Sequence, residues 1–203
     1  MSKKILSQAS FFDGLAETWD DIWTDDLRAR IKKVMLEDVP PLNHPILDIG
    51  NGTGVMIPYL REKSTGAFPI IELDISKRML EVGRTKLKSA TEALFIHGDA
   101  HKLPFVHEQF NTIFCFSVFP HFKRPETVLS EFYRCLAKHG LLVIMHVQGH
   151  AQLNAMHATI EKCVSSDILQ PVDQLAVLVR LHQFKVLLAT EHAEKYLLIA
   201  EKQ

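Results

Sequence analysis

Three glycines at alternate positions, Gly50, Gly52 and Gly54, follow a short apolar run that carries one acid, Ile46-Leu47-Asp48-Ile49. Glycine permits a tight turn and lets the backbone come close to a ligand, so a strand that breaks into this loop is built to receive something. The spacing excludes two common ligands. The dinucleotide fingerprint needs glycine where Val55 stands, and a phosphate-binding loop needs a lysine where Val55 and Met56 stand. Introduced by Asp48 and lacking that lysine, the loop suits a ligand with an amine and a cationic centre rather than phosphates. Further polar residues follow later apolar runs: Asp74, Asp99, Ser117 and His146. Histidine is the natural base near neutral pH, which makes His121 and His146 the candidate catalytic groups.

These residues need a frame. Apolar runs at 46–49, 69–73, 93–97, 112–116, 141–146, about 184–189 and 196–200 read as strands. Amphipathic segments at 55–62, 76–88, 126–137, 151–163 and 172–181 read as helices. Such alternation predicts an α/β fold: a doubly wound, mostly parallel seven-stranded sheet with helices on both faces. The last two runs are joined by too few residues for a helix, so they form a C-terminal hairpin with one antiparallel strand. In such sheets ligands bind beyond the C-terminal strand ends, where every polar residue named above falls. Residues 1–40 read as an N-terminal helical cap: Phe11, Phe12, Leu15 and Trp19 recur at helical spacing, and a second helix covers 27–39. Prolines 40, 41 and 45 then mark the boundary with a single domain over 41–203.

The chain has 203 residues, 47% of them apolar, enough for one full core. A net charge of −1 gives no global field for nucleic acid or an anionic membrane. No apolar run reaches the roughly 20 residues of a membrane span, and the first residues lack a signal-peptide core. Cys115, Cys135 and Cys163 are widely spaced and odd in number, which reads as reduced thiols in a cytoplasmic protein. His150 to His157 is too long a step for the paired ligands of a helical zinc site, so no metal is expected.

With these segments laid out, the chain resembles a class I S-adenosylmethionine-dependent methyltransferase of the small-molecule branch that includes the ubiquinone and menaquinone biosynthesis enzymes. The match is carried by residues 46–54, by 72–80 (Glu-Leu-Asp-Ile-Ser-Lys-Arg-Met-Leu), by 97–105 (His-Gly-Asp-Ala-His-Lys-Leu-Pro-Phe) and by 110–122. Residues 131–144 and the opening 11–20 are similar as well. Two positions depart from the family pattern: Asn111 stands where aspartate is usual, and Pro120 replaces a histidine before His121.

The resemblance implies a Rossmann-like sheet and S-adenosyl-L-methionine as cofactor, leaving as S-adenosyl-L-homocysteine. It implies that Asp48 and the loop Gly50, Asn51, Gly52, Thr53 and Gly54 face the amino-acid end of that cofactor. Asp74 would accept from both ribose hydroxyls, Ile75 and Met79 would flank the adenine, and Gly98, Asp99 and Ala100 would meet its edge. Ser117 would lie near the sulfonium. Capping of His101 is the competing role for Asp99. Phe11, Trp19 and Trp23, with His150, would line or cover the acceptor site. The expected partner is a small-molecule methyl acceptor, with a homodimer compatible and nucleic acid excluded. Methyl transfer is the leading reading; cofactor binding without catalysis and nicotinamide-dependent oxidoreduction are the alternatives.

Overall fold

The computed structural model describes residues 7–66, 69–87, 93–160 and 163–203. Expectations that fall on residues 1–6, on residue 88 and on 161–162 lie outside them. Seven strands form one sheet: β1 Ile46–Ile49, β2 Ile70–Asp74, β3 Ala93–His97, β4 Phe110–Phe116, β5 Leu136–His146, β6 Phe184–His192 and β7 Lys195–Lys202. Their order is β3-β2-β1-β4-β5-β7-β6. All neighbours are parallel except the pairs that involve β7, the single antiparallel strand, as the short final connection requires. The order reverses between β1 and β4, which opens the crevice where such sheets bind ligands.

Both faces are covered, so β1 is buried at every position. On one face Ile46, Phe114, Phe116, Val143 and Met145 pack against Ile31, Val34 and Met35 of helix α2 (Asp25–Glu37) and Leu60 of α3 (Ile57–Lys63). On the other, Leu47, Ile49, Ile113, Leu142 and Ile144 meet α5 (Pro125–Cys135) through Val128, Leu129 and Phe132, and α7 (Val172–Leu181) through Leu175 and Val179. Cys115 of β4 and Cys135 of α5 are buried in this second core as free thiols. Helix α4 (Lys77–Lys86) starts where Ser76 accepts from the Met79 amide at 3.1 Å.

The expected N-terminal helix is divided. Helix α1 (Gln8–Leu15) ends before Trp19, which sits in a 3₁₀ turn, Trp19–Ile22, before Thr24 caps α2. The two parts differ in role. Helix α2 is a structural layer of the sheet, whereas α1 buries no residue completely. Polar tethers hold α1 instead: Asp13 accepts from the Ser76 hydroxyl at 2.6 Å and from the Arg78 amide at 3.1 Å.

Other element ends shift too, most of all at two places. Strand β5 begins at Leu136 rather than 141, because Leu136 takes extended backbone and pairs with Phe110 before a bulge. Helix α6 (His150–His157) is also shorter than the periodicity of 151–163 predicts.

Candidate active site

A cavity of about 650 Å³, counted to its open mouth, lies at the C-terminal ends of β1, β2 and β4. Its wall brings together Gly50, Gly52, Asp74, Ile75, Met79, Gly98, Asp99, Ala100 and Ser117, which the sequence spreads over 68 positions. Trp19 and His121 line it too, joined by Gln8, Phe12, Val118 and Phe122. A smaller space of about 280 Å³ adjoins it beneath the glycine loop, lined by Asp48, Asn51, Trp23 and Phe116, and sharing Trp19, Gly50 and Ser117 with the larger one.

Glycine is required in the loop on two grounds. Gly50 has φ +67°, and a Cβ there would fall 2.2 Å from Val118 Cγ2. Gly52 has φ +56°, and a Cβ would fall 2.9 Å from Trp19 Nε1. The loop is wired to β2 as well. The Gly50 amide donates to the Leu73 carbonyl at 2.7 Å, and the Gly52 amide donates to Asp74 Oδ2 at 2.9 Å. Asp74 Oδ1 accepts from the Ser76 amide at 2.7 Å. Asp74 therefore ties loop to helix start, and its carboxylate keeps acceptor capacity for a ligand. The Gly50 and Gly52 amides are thus already spent within the protein.

Asp99 takes its capping role. Its Oδ1 accepts from the His101 amide at 2.9 Å and from His101 Nδ1 at 2.7 Å, while the residue still borders the cavity. Burial would raise its carboxyl, but these bonds outweigh it and hold the group below its ordinary value. Ser117 is left-handed at φ +53°, and its amide donates to the Met145 carbonyl.

Several residues lie elsewhere. The Thr53 hydroxyl donates to Asp20 Oδ1 at 2.6 Å, and Asp20 also pairs with Lys86, so Thr53 anchors the 3₁₀ turn from behind the loop. Gly54 lies off the cavity against Ile57. Phe11 reaches the wall only through Phe12, whose ring it meets edge-on at 5.3 Å. His150 pairs with Glu191 away from the cavity. His146 is 1% exposed, packs edge-on against Tyr196 at 5.5 Å and is absent from the cavity wall. Burial drives it down to about 3, so it is neutral. Asn111 donates to the His44 carbonyl at 2.6 Å and is not among the cavity-lining residues.

Four features escaped sequence reasoning. Glu72 lies in register with Asp48 on the adjacent strand, both fully buried, and none of their four oxygens has a hydrogen-bond partner among the described residues. Burial raises Asp48 to about 8, against the close Glu72 carboxyl, which favours its ionised form; burial and the neighbouring negative charge of Asp48 raise Glu72 well above the carboxylate range. Trp23 Nε1 and Asn51 Oδ1 also lack partners there. Asp167, 3% exposed, accepts from His121 Nδ1 at 2.7 Å. Asp20 holds the 3₁₀ turn as described. A glutamate inside an apolar strand was the one visible signal; Asp167, Asp20 and the Trp23 orphan carry no local motif.

Residues 47–144 match the family model described as a methyltransferase domain. Over those residues the chain is similar to a methyltransferase domain. Among curated proteins it is similar to the demethylmenaquinone methyltransferase of Thermotoga maritima, at 34% identity over 67% of this chain and 59% of that one. It is similar also to the corresponding enzyme of Thermus thermophilus, at 35% identity over 59% and 54%. The match thus spans under two thirds of the curated relatives' length. Solved S-adenosylmethionine-dependent methyltransferases from Thermotoga maritima and Aquifex aeolicus share the fold. Their TM-scores are 0.73 and 0.71, at 19% and 16% identity, covering 96% and 94% of this chain and 99% and 98% of theirs.

Proposed function

We propose that the protein transfers a methyl group from S-adenosylmethionine to a small-molecule acceptor. The observation that carries this reading is the convergence of the glycine loop, Asp74, Met79, Asp99 and Ser117 on one cavity, with a second space beneath the loop holding orphaned polar atoms. Buried unsatisfied groups cost roughly 1–3 kcal/mol each, so their retention fits a ligand that completes them. The residues present suit the cofactor: Asp48 for an ammonium, whose positive charge would favour the ionised carboxyl, the Trp23 indole N–H for a carboxylate, Asp74 for ribose hydroxyls, and Ile75 and Met79 for a flat apolar base. When bound, the cofactor supplies an electrophilic methyl on a cationic sulfur whose departure leaves a neutral thioether.

The protein then has to align an acceptor and exclude water, and orientation of this kind contributes roughly 7–11 kcal/mol in favourable cases. Phe12, Trp19, Val118 and Phe122 supply an apolar part of the cavity wall. Helix α1 and the 3₁₀ turn act as the lid: they rest on tethers at Asp13 and Asp20 rather than on a buried core. His121 is the candidate base at the acceptor end.

Isothermal titration with S-adenosylhomocysteine tests the reading. A micromolar dissociation constant, weakened at least tenfold in Asp74→Ala, is expected. Absence of heat with both S-adenosylhomocysteine and S-adenosylmethionine overturns it.

A further inference from the structure

On the lid side of the cavity, His121 belongs to a network that methyl transfer to a ready nucleophile does not need. Its Nδ1 lies 2.7 Å from Asp167 Oδ2. The other Asp167 oxygen pairs with Lys123, and Gln8 donates both to the His121 carbonyl at 2.9 Å and to Asp167 Oδ2 at 3.3 Å. The Asp167 carbonyl accepts from His157 Nδ1 at 2.8 Å. Two residues on, the Leu169 amide and carbonyl are both held by the Asn154 side chain at 2.8 and 2.9 Å. A buried carboxylate on a pinned segment, with the imidazole donating to it, fixes both the ring's orientation and its tautomer. Burial opposes the Asp167 charge, but the hydrogen bonds from His121 and Lys123 outweigh it and keep the group ionised. With Nδ1 committed to Asp167, Nε2 is the free ring nitrogen of a residue in the cavity wall.

Resting on the methyltransferase reading, we propose that Asp167 is the positioning residue that makes His121 a general base, and that the acceptor is a hydroxyl on a flat, largely apolar molecule such as a phenol. A neutral hydroxyl is a poor nucleophile and gains from a base; a free amine is nucleophilic without one. The aromatic wall of Phe12, Trp19 and Phe122 suits a ring. In the step, the acceptor's O–H bond breaks as Nε2 takes the proton. An oxygen lone pair forms the new O–CH₃ bond, and the old methyl–sulfur pair leaves with sulfur as a neutral thioether. The imidazolium formed stands beside Asp167, and its proton passes on to solvent. The other titratable groups around the ring are Lys123, His157, whose ring centroid is 5.2 Å away, and His146 of β5.

Three measurements decide it. Long-range proton–nitrogen correlation spectra of protein with isotope-labelled histidine, with His121 assigned through H121Q, read the tautomer directly. A neutral His121 carrying its proton on Nδ1, with that preference lost in D167N, is expected; an Nε2-protonated ring in the unsubstituted protein overturns the proposal. Methyl transfer from S-adenosylmethionine to catechol is then followed. D167N should lower kcat on the order of 10²-fold or more with little change in KM, and D167E should recover part of it. An unchanged kcat in D167N overturns the positioning role. Absence of catechol methylation by the unsubstituted protein overturns the hydroxyl class. Calorimetry with S-adenosylhomocysteine separates this failure from that of the parent reading: D167N should bind within twofold of the unsubstituted protein, and absence of binding in both overturns the methyltransferase reading itself.

Discussion

Replacing Gly50 by alanine tests the central geometry of the loop. Two costs add. At φ +67° an L-residue meets its own backbone, which costs roughly 1–2 kcal/mol. The new Cβ would also fall 2.2 Å from Val118 Cγ2 and 2.7 Å from Val118 Cβ. Ordinary carbon contacts begin near 3.5 Å, so the gap is short by about 1.3 Å at the first atom. Valine is stiff about χ1, and rotation leaves its Cβ where it is, so backbone must move; overpacking of this kind costs about 1–3 kcal/mol. The expected loss is about 2–5 kcal/mol. Val118→Ala removes the Cγ clash but not the φ strain or the Cβ approach. The double variant should therefore show a favourable coupling of about 1–2 kcal/mol. Urea unfolding of the four proteins reads this directly, with S-adenosylhomocysteine titration reading the cavity wall. Additivity within about 0.5 kcal/mol, or a loss below about 1 kcal/mol in the single variant, would refute the reasoning.

Asp74→Asn should weaken both ligand binding and folding, since an amide offers one acceptor where the Gly52 and Ser76 amides need two; a loss of about 1–3 kcal/mol in urea unfolding is expected, and weaker binding at unchanged stability would contradict it. The Asp48–Glu72 pair makes the ligand-free protein less stable as pH rises. Its carboxyls ionise near 4 when unfolded, whereas Asp48 holds its proton to about 8 when folded and Glu72 is raised also. The folded chain binds more protons across that window, so urea midpoints should fall from pH 4 to 8, and less steeply in Glu72→Gln; parallel slopes would dismiss the pair as the cause. His146 works at the acid end. Neutral down to about 3 in the fold but protonated below about 6.5 when unfolded, it removes stability as pH falls through that range, and His146→Phe should be the more stable protein at pH 5.

How far the residues themselves disclose the structure depends on the range of the interaction. The run 46–54 reads correctly as strand and glycine turn because its pattern is local, and the antiparallel last strand follows from a connection too short for a crossover. Trp19 continues the helical spacing of Phe12 and Leu15, yet the chain leaves the helix at Leu15 and delivers Trp19 to Gly52 from a 3₁₀ turn. Periodicity records which residues are apolar, not where the backbone turns. His146 stands at a strand end as expected, but it packs against Tyr196 rather than lining the cavity, and a strand-end position alone does not say which side chains reach a ligand. Asp167 lies 46 positions from His121 in a stretch with no motif; only the tertiary fold joins them.

The glycine loop completes its own amide bonding with β2 and Asp74, independently of any ligand. It is therefore rigid in advance, and binding has little loop entropy to overcome. On the proposed function, adaptation falls to residues 7–24, which meet the rim through side-chain links at Gln8, Asp13 and Asp20. Seat and cover are separable parts, so exchanging that leading stretch should redirect acceptor choice while leaving grip on the nucleoside intact.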